Sequence, residues 1–157
     1  MTYFLDSNFL IDAKNWYFPL DVKPEFWSWL LRLGKEGILR IPEAVHNEVA
    51  RGNDDLVDWV NAYQEIFFCK TEECIFSLPN ALAGYGNPTE ADLEFLKADP
   101  YVIAHAIASD GVVVTGEKPK DTAVIKNKKI PTICEGLRVP CLTLPGFMWE
   151  LRSTMPS

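Results

Sequence analysis

Short apolar runs alternate with amphipathic stretches along the chain. The runs at residues 2–5, 38–41, 112–115 and 140–144 are each four or five residues long, which is typical of buried strands. In the stretches between them, apolar residues recur every three or four positions, as they do in helices that pack on one face. Strands that alternate with helices predict an α/β fold, a three-layer α/β/α sandwich with a central, mostly parallel sheet.

Prolines and capping residues predict where the helices begin. Pro24, Pro42 and Pro131 each precede an amphipathic stretch, and the fixed φ of proline suits the first turn of a helix. Further helices are predicted to begin near Asp6, Asp54, Thr89, Asp99 and Gly146. The segment 67–87 has no clear period and is assigned no element, apart from a loop expected at residues 84–88.

Composition places the chain among ordinary globular proteins. Of its 157 residues, 48% are hydrophobic and 24% are charged, so residues 1–157 can form one domain with a substantial core. No apolar run approaches the roughly 18 residues of a membrane span, and the N-terminus lacks the basic start of a signal peptide. The chain is therefore expected to be cytoplasmic, with its four cysteines as reduced, buried thiols.

The charge is unevenly distributed. A net charge of −7 argues against a protein that coats nucleic acid by bulk attraction. Residues 118–129, however, carry five lysines and one acid, a local charge of +4. This basic segment can contact phosphate, although a solvated loop is the more common interpretation of such a run.

Four acids lie at the ends of predicted strands or on the helices beside them. Asp6 follows the first strand, Glu117 follows the strand at 112–115, Asp99 opens the helix before that strand, and Glu48 borders the buried face of the helix after the second strand. In a parallel sheet, ligands bind outside the carboxyl ends of the strands. If the four carboxylates converge, their repulsion requires a cation, and hard oxygen ligands favour magnesium or manganese.

Each acid also has a local interpretation that the sequence leaves open. These alternatives are a helix cap for Asp6 and for Asp99, an ion pair with Arg51 for Glu48, and a turn acid for Glu117. Ser7 and Asn8 could orient a metal-bound water or an oxygen of Asp6, but a helix cap explains Ser7 equally well and a turn residue explains Asn8 equally well. Asp12, one helical turn past Asn8, is interpreted as a solvated acid.

Four segments together resemble the motifs of the PIN-domain family. They are a strand followed by an aspartate (YFLDSNFLID, residues 3–12), a proline and a helix with a glutamate (IPEAVHNEV, 41–49), an aspartate that opens a helix (DPYVIAHA, 99–106), and a strand that ends in TGE (VVVTGE, 112–117). The segments at 130–134 and 139–142 also fit. The resemblance covers nearly the whole chain in the correct order, and is greatest to a PIN-like subfamily with no settled function.

This resemblance implies a metal-dependent endoribonuclease that hydrolyses phosphodiester bonds in single-stranded RNA with Mg²⁺ or Mn²⁺. Many small members of the family are toxins held inactive by a co-expressed antitoxin, so RNA and an antitoxin are the implied partners, and a homodimer is left open. The implied catalytic and metal-binding residues are Asp6, Glu48, Asp99 and Glu117. The implied substrate-binding residues are Ser7, Asn8, Thr115, Lys118 and Lys120.

Glu117 departs from the family pattern, which usually has aspartate at this position. The longer side chain keeps the charge but is expected to bind a metal less tightly than the other acids. The alternative to a nuclease is a non-catalytic interaction module whose acids are structural. A phosphotransferase with Asp6 as the nucleophile is disfavoured, because that chemistry usually has a second aspartate where Asn8 stands.

Overall fold

A five-stranded parallel sheet forms the centre of the protein. The computed structural model describes residues 1–156, and every neighbouring pair of strands is parallel. The sheet has the order β3-β2-β1-β4-β5. Its strands are β1 (Tyr3–Leu5), β2 (Leu39–Pro42), β3 (Phe68–Cys69), β4 (Val112–Val114) and β5 (Cys141–Leu142).

Helices connect the strands and cover the sheet. They are α1 (Ser7–Asp12), α2 (Pro24–Lys35), α3 (Glu43–Val49), α4 (Asp55–Ala62), α5 (Gln64–Phe67), α6 (Leu78–Tyr85), α7 (Glu90–Leu96), α8 (Asp99–Ser109), α9 (Ile130–Leu137) and α10 (Leu144–Glu150). A π-helical segment, Ala13–Tyr17, continues α1. The helix predicted to begin near Thr89 is confirmed, and it opens with a capping box in which Asp92 is the reciprocal partner.

Alternate residues of β1 face opposite helical layers. The ring of Tyr3 packs edge-on against Phe147 of α10, with centroids 5.4 Å apart. Phe4 stacks instead on His105 of α8, with centroids 5.5 Å apart. Trp29 of α2 also packs against Phe147, so α2 and α10 share one face while α8 lies on the other. The predicted three-layer α/β/α architecture is confirmed.

The chain reverses its direction across the sheet between β1 and β4. It first builds β1, β2 and β3 towards one edge and then returns to place β4 and β5 on the other side of β1. Loops that leave β1 and β4 therefore diverge, and a crevice opens at their carboxyl ends, which is where ligands bind in such sheets. Asp6 and Thr115 are the first residues beyond these two strands.

The segment 67–87 is more ordered than its sequence pattern indicates. It contains the two-residue strand β3, a 3₁₀ turn at Thr71–Cys74 and helix α6. The loop predicted at residues 84–88 was placed too early, because Gly84 and Tyr85 still belong to α6. Helix α6 and the 3₁₀ turn of this segment pack against α8.

The structure bears on the state of the cysteines and on the presence of membrane-spanning helices. All four cysteines are free thiols, of which Cys69, Cys74 and Cys134 are buried and Cys141 is half-buried. Within residues 1–156, no helix has the length and apolar character that a membrane span requires.

Candidate active site

Asp6 is buried in the crevice and held by two donors. Only 1% of the surface of Asp6 is exposed to solvent. Oδ1 accepts a hydrogen bond from the backbone N–H of Phe9 at 2.8 Å, so Asp6 caps α1 as one interpretation predicted. Oδ2 accepts a short hydrogen bond from the hydroxyl of Thr115, which follows β4. The cap and the hydroxyl together fix the carboxylate at the junction of β1 and β4.

Glu48 reaches the same crevice from α3. Its Oε1 accepts a hydrogen bond from the Ser7 hydroxyl at 3.0 Å, so the alternative interpretation of Glu48, an ion pair with Arg51, is wrong. The packing of α1 against α3 brings the Ser7 hydroxyl to the Glu48 carboxylate, whereas Arg51 lies beyond the end of α3. The other oxygen, Oε2, is buried and has no hydrogen-bond partner among residues 1–156.

Asp99 begins α8 but does not cap it. Ala98 is the residue before the helix, and no side chain makes a capping hydrogen bond there, so the cap interpretation of Asp99 is wrong. Burial is the main cause that raises the pKa of Asp99 to about 9, and nearby Glu117, Asp6 and Glu48 raise it further. Lys129 acts in the opposite direction. The Asp99 carboxyl therefore lies in the field of all three other acids.

Glu117 closes the opposite side of the site. Its Oε1 accepts from the Asn8 side-chain amide at 3.0 Å and its Oε2 accepts from the backbone N–H of Ile130 at 2.9 Å. The Glu117 backbone N–H also donates to the Thr115 hydroxyl at 3.0 Å. Both carboxylate oxygens thus have donors, and the weaker metal contact expected of Glu117 stays a prediction.

The electrostatics of the crevice favour a cation. Burial raises the pKa of Asp6 to about 7 from its ordinary 3.8; hydrogen bonds from Thr115 and Phe9 lower it, and Glu117 and Glu48 raise it. Among residues 1–156, no group of three or more Asp, Glu, His or Cys side chains is arranged closely enough to hold a metal ion. The unpartnered Glu48 Oε2 and the mutual repulsion nevertheless fit a hard divalent ion, which would draw the carboxylates together.

The residues expected to bind substrate surround the acids. Ser7, Asn8 and Thr115 donate to Glu48, Glu117 and Asp6, respectively, so each positions one acid. Lys118 and Lys120 are exposed in the loop that follows Glu117. Their contact with substrate remains a prediction.

Tyr85 is a site residue that the sequence analysis missed. It ends α6, is 0% exposed, and its hydroxyl has no hydrogen-bond partner among residues 1–156. Burial raises the pKa of this hydroxyl well above its usual range, and Asp99 and Glu117 raise it further. The available signal was a tyrosine followed by Gly86 at the end of an apolar stretch, which was interpreted as a loop.

Tyr85→Phe is expected to raise the free energy of unfolding by about 1 kcal/mol, because it removes a buried hydroxyl that makes no hydrogen bond with the residues around it. The measurement is denaturant unfolding in EDTA. Tyr63→Phe, at the half-buried tyrosine that follows α4, is the matched control and should change stability little. A loss of 1 kcal/mol or more in Tyr85→Phe would contradict the unpaired state of the hydroxyl.

The fold and the site define a parallel α/β protein with an acidic crevice at the carboxyl edge of its sheet. The family described as "Domain of unknown function (DUF4411)" matches residues 3–155, and the chain belongs to this family. Its fold is similar to a crystal structure of VapBC2 from Rickettsia felis bound to a DNA fragment from their promoter, with a TM-score of 0.51, 18% identity, and 91% of this chain and 98% of that chain covered. No curated protein matches the chain.

Proposed function

We propose that this protein is a PIN-type endoribonuclease that uses Mg²⁺ or Mn²⁺ to hydrolyse single-stranded RNA. The observation that supports the proposal is the group of four acids at the switch point of the sheet, with Glu48 Oε2 buried and unpaired. Both ion pairs found among residues 1–156 involve Lys14 on the surface and none of these acids. Such an arrangement is costly unless a cation offsets it.

Asp6, Glu48 and Asp99 are the residues proposed to hold the ion. A divalent ion supplies Lewis-acid activation of water and neutralises charge on the phosphate when bound. The Thr115 hydroxyl orients Asp6, and the Ser7 hydroxyl orients Glu48 so that its second oxygen stays available. Glu117, held by Asn8 and Ile130, is proposed to act at the margin of the site.

The lysine loop is proposed to bring the RNA backbone to these acids. The chain is acidic overall, so a polyanion must be attracted locally. Lys118 and Lys120 are exposed directly after Glu117, where ammonium groups can contact phosphate without reading sequence. The choice of RNA over DNA comes from the resemblance to PIN domains.

We also propose that the protein is the toxin of a toxin–antitoxin pair. The support is the resemblance to small PIN domains, together with a fold similar to one in the VapBC2 structure. A small reading frame beside the gene whose product binds this protein and stops its RNA cleavage would be the expected partner. A neighbouring product that leaves cleavage unchanged would contradict this assignment.

The direct test is cleavage of matched single-stranded RNA and DNA oligonucleotides. Internal cuts in RNA are expected with Mg²⁺ or Mn²⁺, and none with EDTA. Cleavage that persists in EDTA would contradict the metal-dependent mechanism. No cleavage with either ion, despite measurable ion binding, would favour the non-catalytic interaction module instead.

A further inference from the structure

A cavity with both apolar and polar lining lies beside Glu117, next to the acidic crevice. It has a volume of about 220 Å³ and is lined by α1 and its π-helical continuation, by the loop after β4 and by the start of α10. Phe9, Leu144 and Pro145 provide apolar surface, while Asp12, Tyr17 and Lys118 provide polar groups. Glu117 lines it as well, so the cavity opens beside the acidic crevice.

The Asp12 carboxylate lies against the loop after β4, at Gly116. A Cβ on Gly116 would collide with Asp12 Oδ2 and would also approach the backbone oxygen of Asn8. Glycine therefore leaves room for the Asp12 carboxylate beside the loop. Asp12 is half-buried and lines the cavity, so it is not a fully solvated acid.

Tyr17 and Lys118 complete the lining. Tyr17 is 59% exposed, unlike Phe9, which is fully buried beneath the cavity. An exposed aromatic ring offers a face on which a nucleobase can stack. Lys118 is exposed beside Glu117 and supplies a hydrogen-bond donor at the same cavity.

We propose that this cavity is a guanine-binding subsite, in which Tyr17 stacks on the base while Asp12 and Lys118 recognise its Watson–Crick edge. An ionised carboxylate has two acceptor oxygens and an ammonium group has only donors. Guanine alone among the four RNA bases presents two adjacent N–H groups, on N1 and N2, next to a carbonyl oxygen. Asp12 accepts from the two N–H groups and Lys118 donates to O6.

This inference rests on the proposed function, because it assigns one base of the RNA that the acids would cleave. Since Glu117 lines both the acidic site and the cavity, the guanine would lie beside the phosphate that is cut. The protein would then cleave single-stranded RNA next to guanines, a specificity that the family resemblance does not supply.

The test is an NMR titration of the full chain with each of the four nucleoside 5′-monophosphates, GMP, AMP, CMP and UMP, which measures their binding. Their phosphates are identical, so differences in affinity report the base. Wild type is expected to bind GMP most tightly. Asp12→Asn should weaken GMP binding about tenfold or more while leaving UMP unchanged. Tyr17→Leu should weaken all four similarly, because every base has a π-face.

Two surface variants serve as matched controls, Asp58→Asn for the acid and Phe76→Leu for the aromatic residue, since both side chains are exposed elsewhere. Equal binding of the four nucleotides, or unchanged GMP affinity in Asp12→Asn, would overturn the subsite. Absence of RNA cleavage together with Asp12-dependent GMP binding would refute the proposed nuclease but retain the subsite. Cleavage of RNA without a base preference would support the proposed nuclease and refute the guanine subsite.

Discussion

Asp6→Asn is expected to lower the rate of RNA cleavage by about a thousandfold or more, because the loss of one proposed charged ligand would remove several kcal/mol of the transition-state stabilisation that the proposed metal supplies. The fold should survive the change. Asparagine caps helices about as well as aspartate, so the bond from the Phe9 N–H to the retained oxygen remains available. The Thr115 hydroxyl, which now donates to Oδ2, can accept from the new amide instead.

Three measurements decide this prediction: the cleavage rate in Mg²⁺, the melting temperature, and divalent-ion binding followed without substrate. Asp21→Asn, at an exposed acid in the loop before α2, is the matched control and should cleave as wild type does. Asp6→Asn that cleaves RNA at the wild-type rate would show that the assigned site is not catalytic. Unfolding of the variant would be seen independently in the melting curve.

Stability that depends on both pH and divalent ions is the second large effect expected. In the metal-free folded protein the pKa of Asp6 is about 7 and that of Asp99 about 9, against 3.8 ordinarily. The folded state therefore binds protons that the unfolded chain has already released. The free energy of unfolding must fall as the pH rises through these values.

Asp99 titrates in the window from pH 7 to pH 9. Burial lowers the pKa of His46 and of His105, so both are largely neutral in the folded and unfolded states across this range. Burial raises the pKa of the Cys69 and Cys74 thiols, which add to the pH dependence of wild type and variant alike, so the comparison of wild type with Asp99→Asn isolates the carboxyl. Asp99 alone is expected to lower stability in EDTA on the order of 2 kcal/mol from pH 7 to pH 9, roughly 5 °C in melting temperature. Saturating Mg²⁺ or Mn²⁺ should reverse the fall, because the ion favours the charged carboxylates.

Asp99→Asn should weaken both responses, since it removes one group that titrates and one proposed ligand. Asp58→Asn, at an exposed acid of α4, should retain the wild-type pH and ion dependence. Identical pH profiles for wild type and Asp99→Asn would refute the raised pKa. Ions that stabilise both proteins equally would show that Asp99 does not bind them.

The sequence by itself predicted the elements whose signals are local. The run of β-branched residues at Val112–Val114 predicted a buried strand, and all three residues are buried in β4. Pro24 predicted the start of α2, because the proline ring is compatible with only the first turn of a helix. The grouping of the four acids was also predicted from the sequence, because ligand-binding residues in a parallel sheet gather at the carboxyl edge of the strands; their role as metal ligands stays a prediction. The alternation of strands with helices predicted the fold class.

Only the tertiary structure decided the contacts between distant segments. β3 has two residues, Phe68 and Cys69, and exists because β2 offers an edge with which to pair, which no local pattern reports. Glu48 could be assigned to Arg51 from sequence because helix neighbours are known in advance, but its partner Ser7 is 41 positions away. The unpaired Tyr85 hydroxyl near Asp99 and the cavity between Asp12 and Lys118 likewise depend on how helices pack on the sheet. Local sequence determines backbone conformation, whereas the surroundings of a side chain are set by the packing of the whole chain.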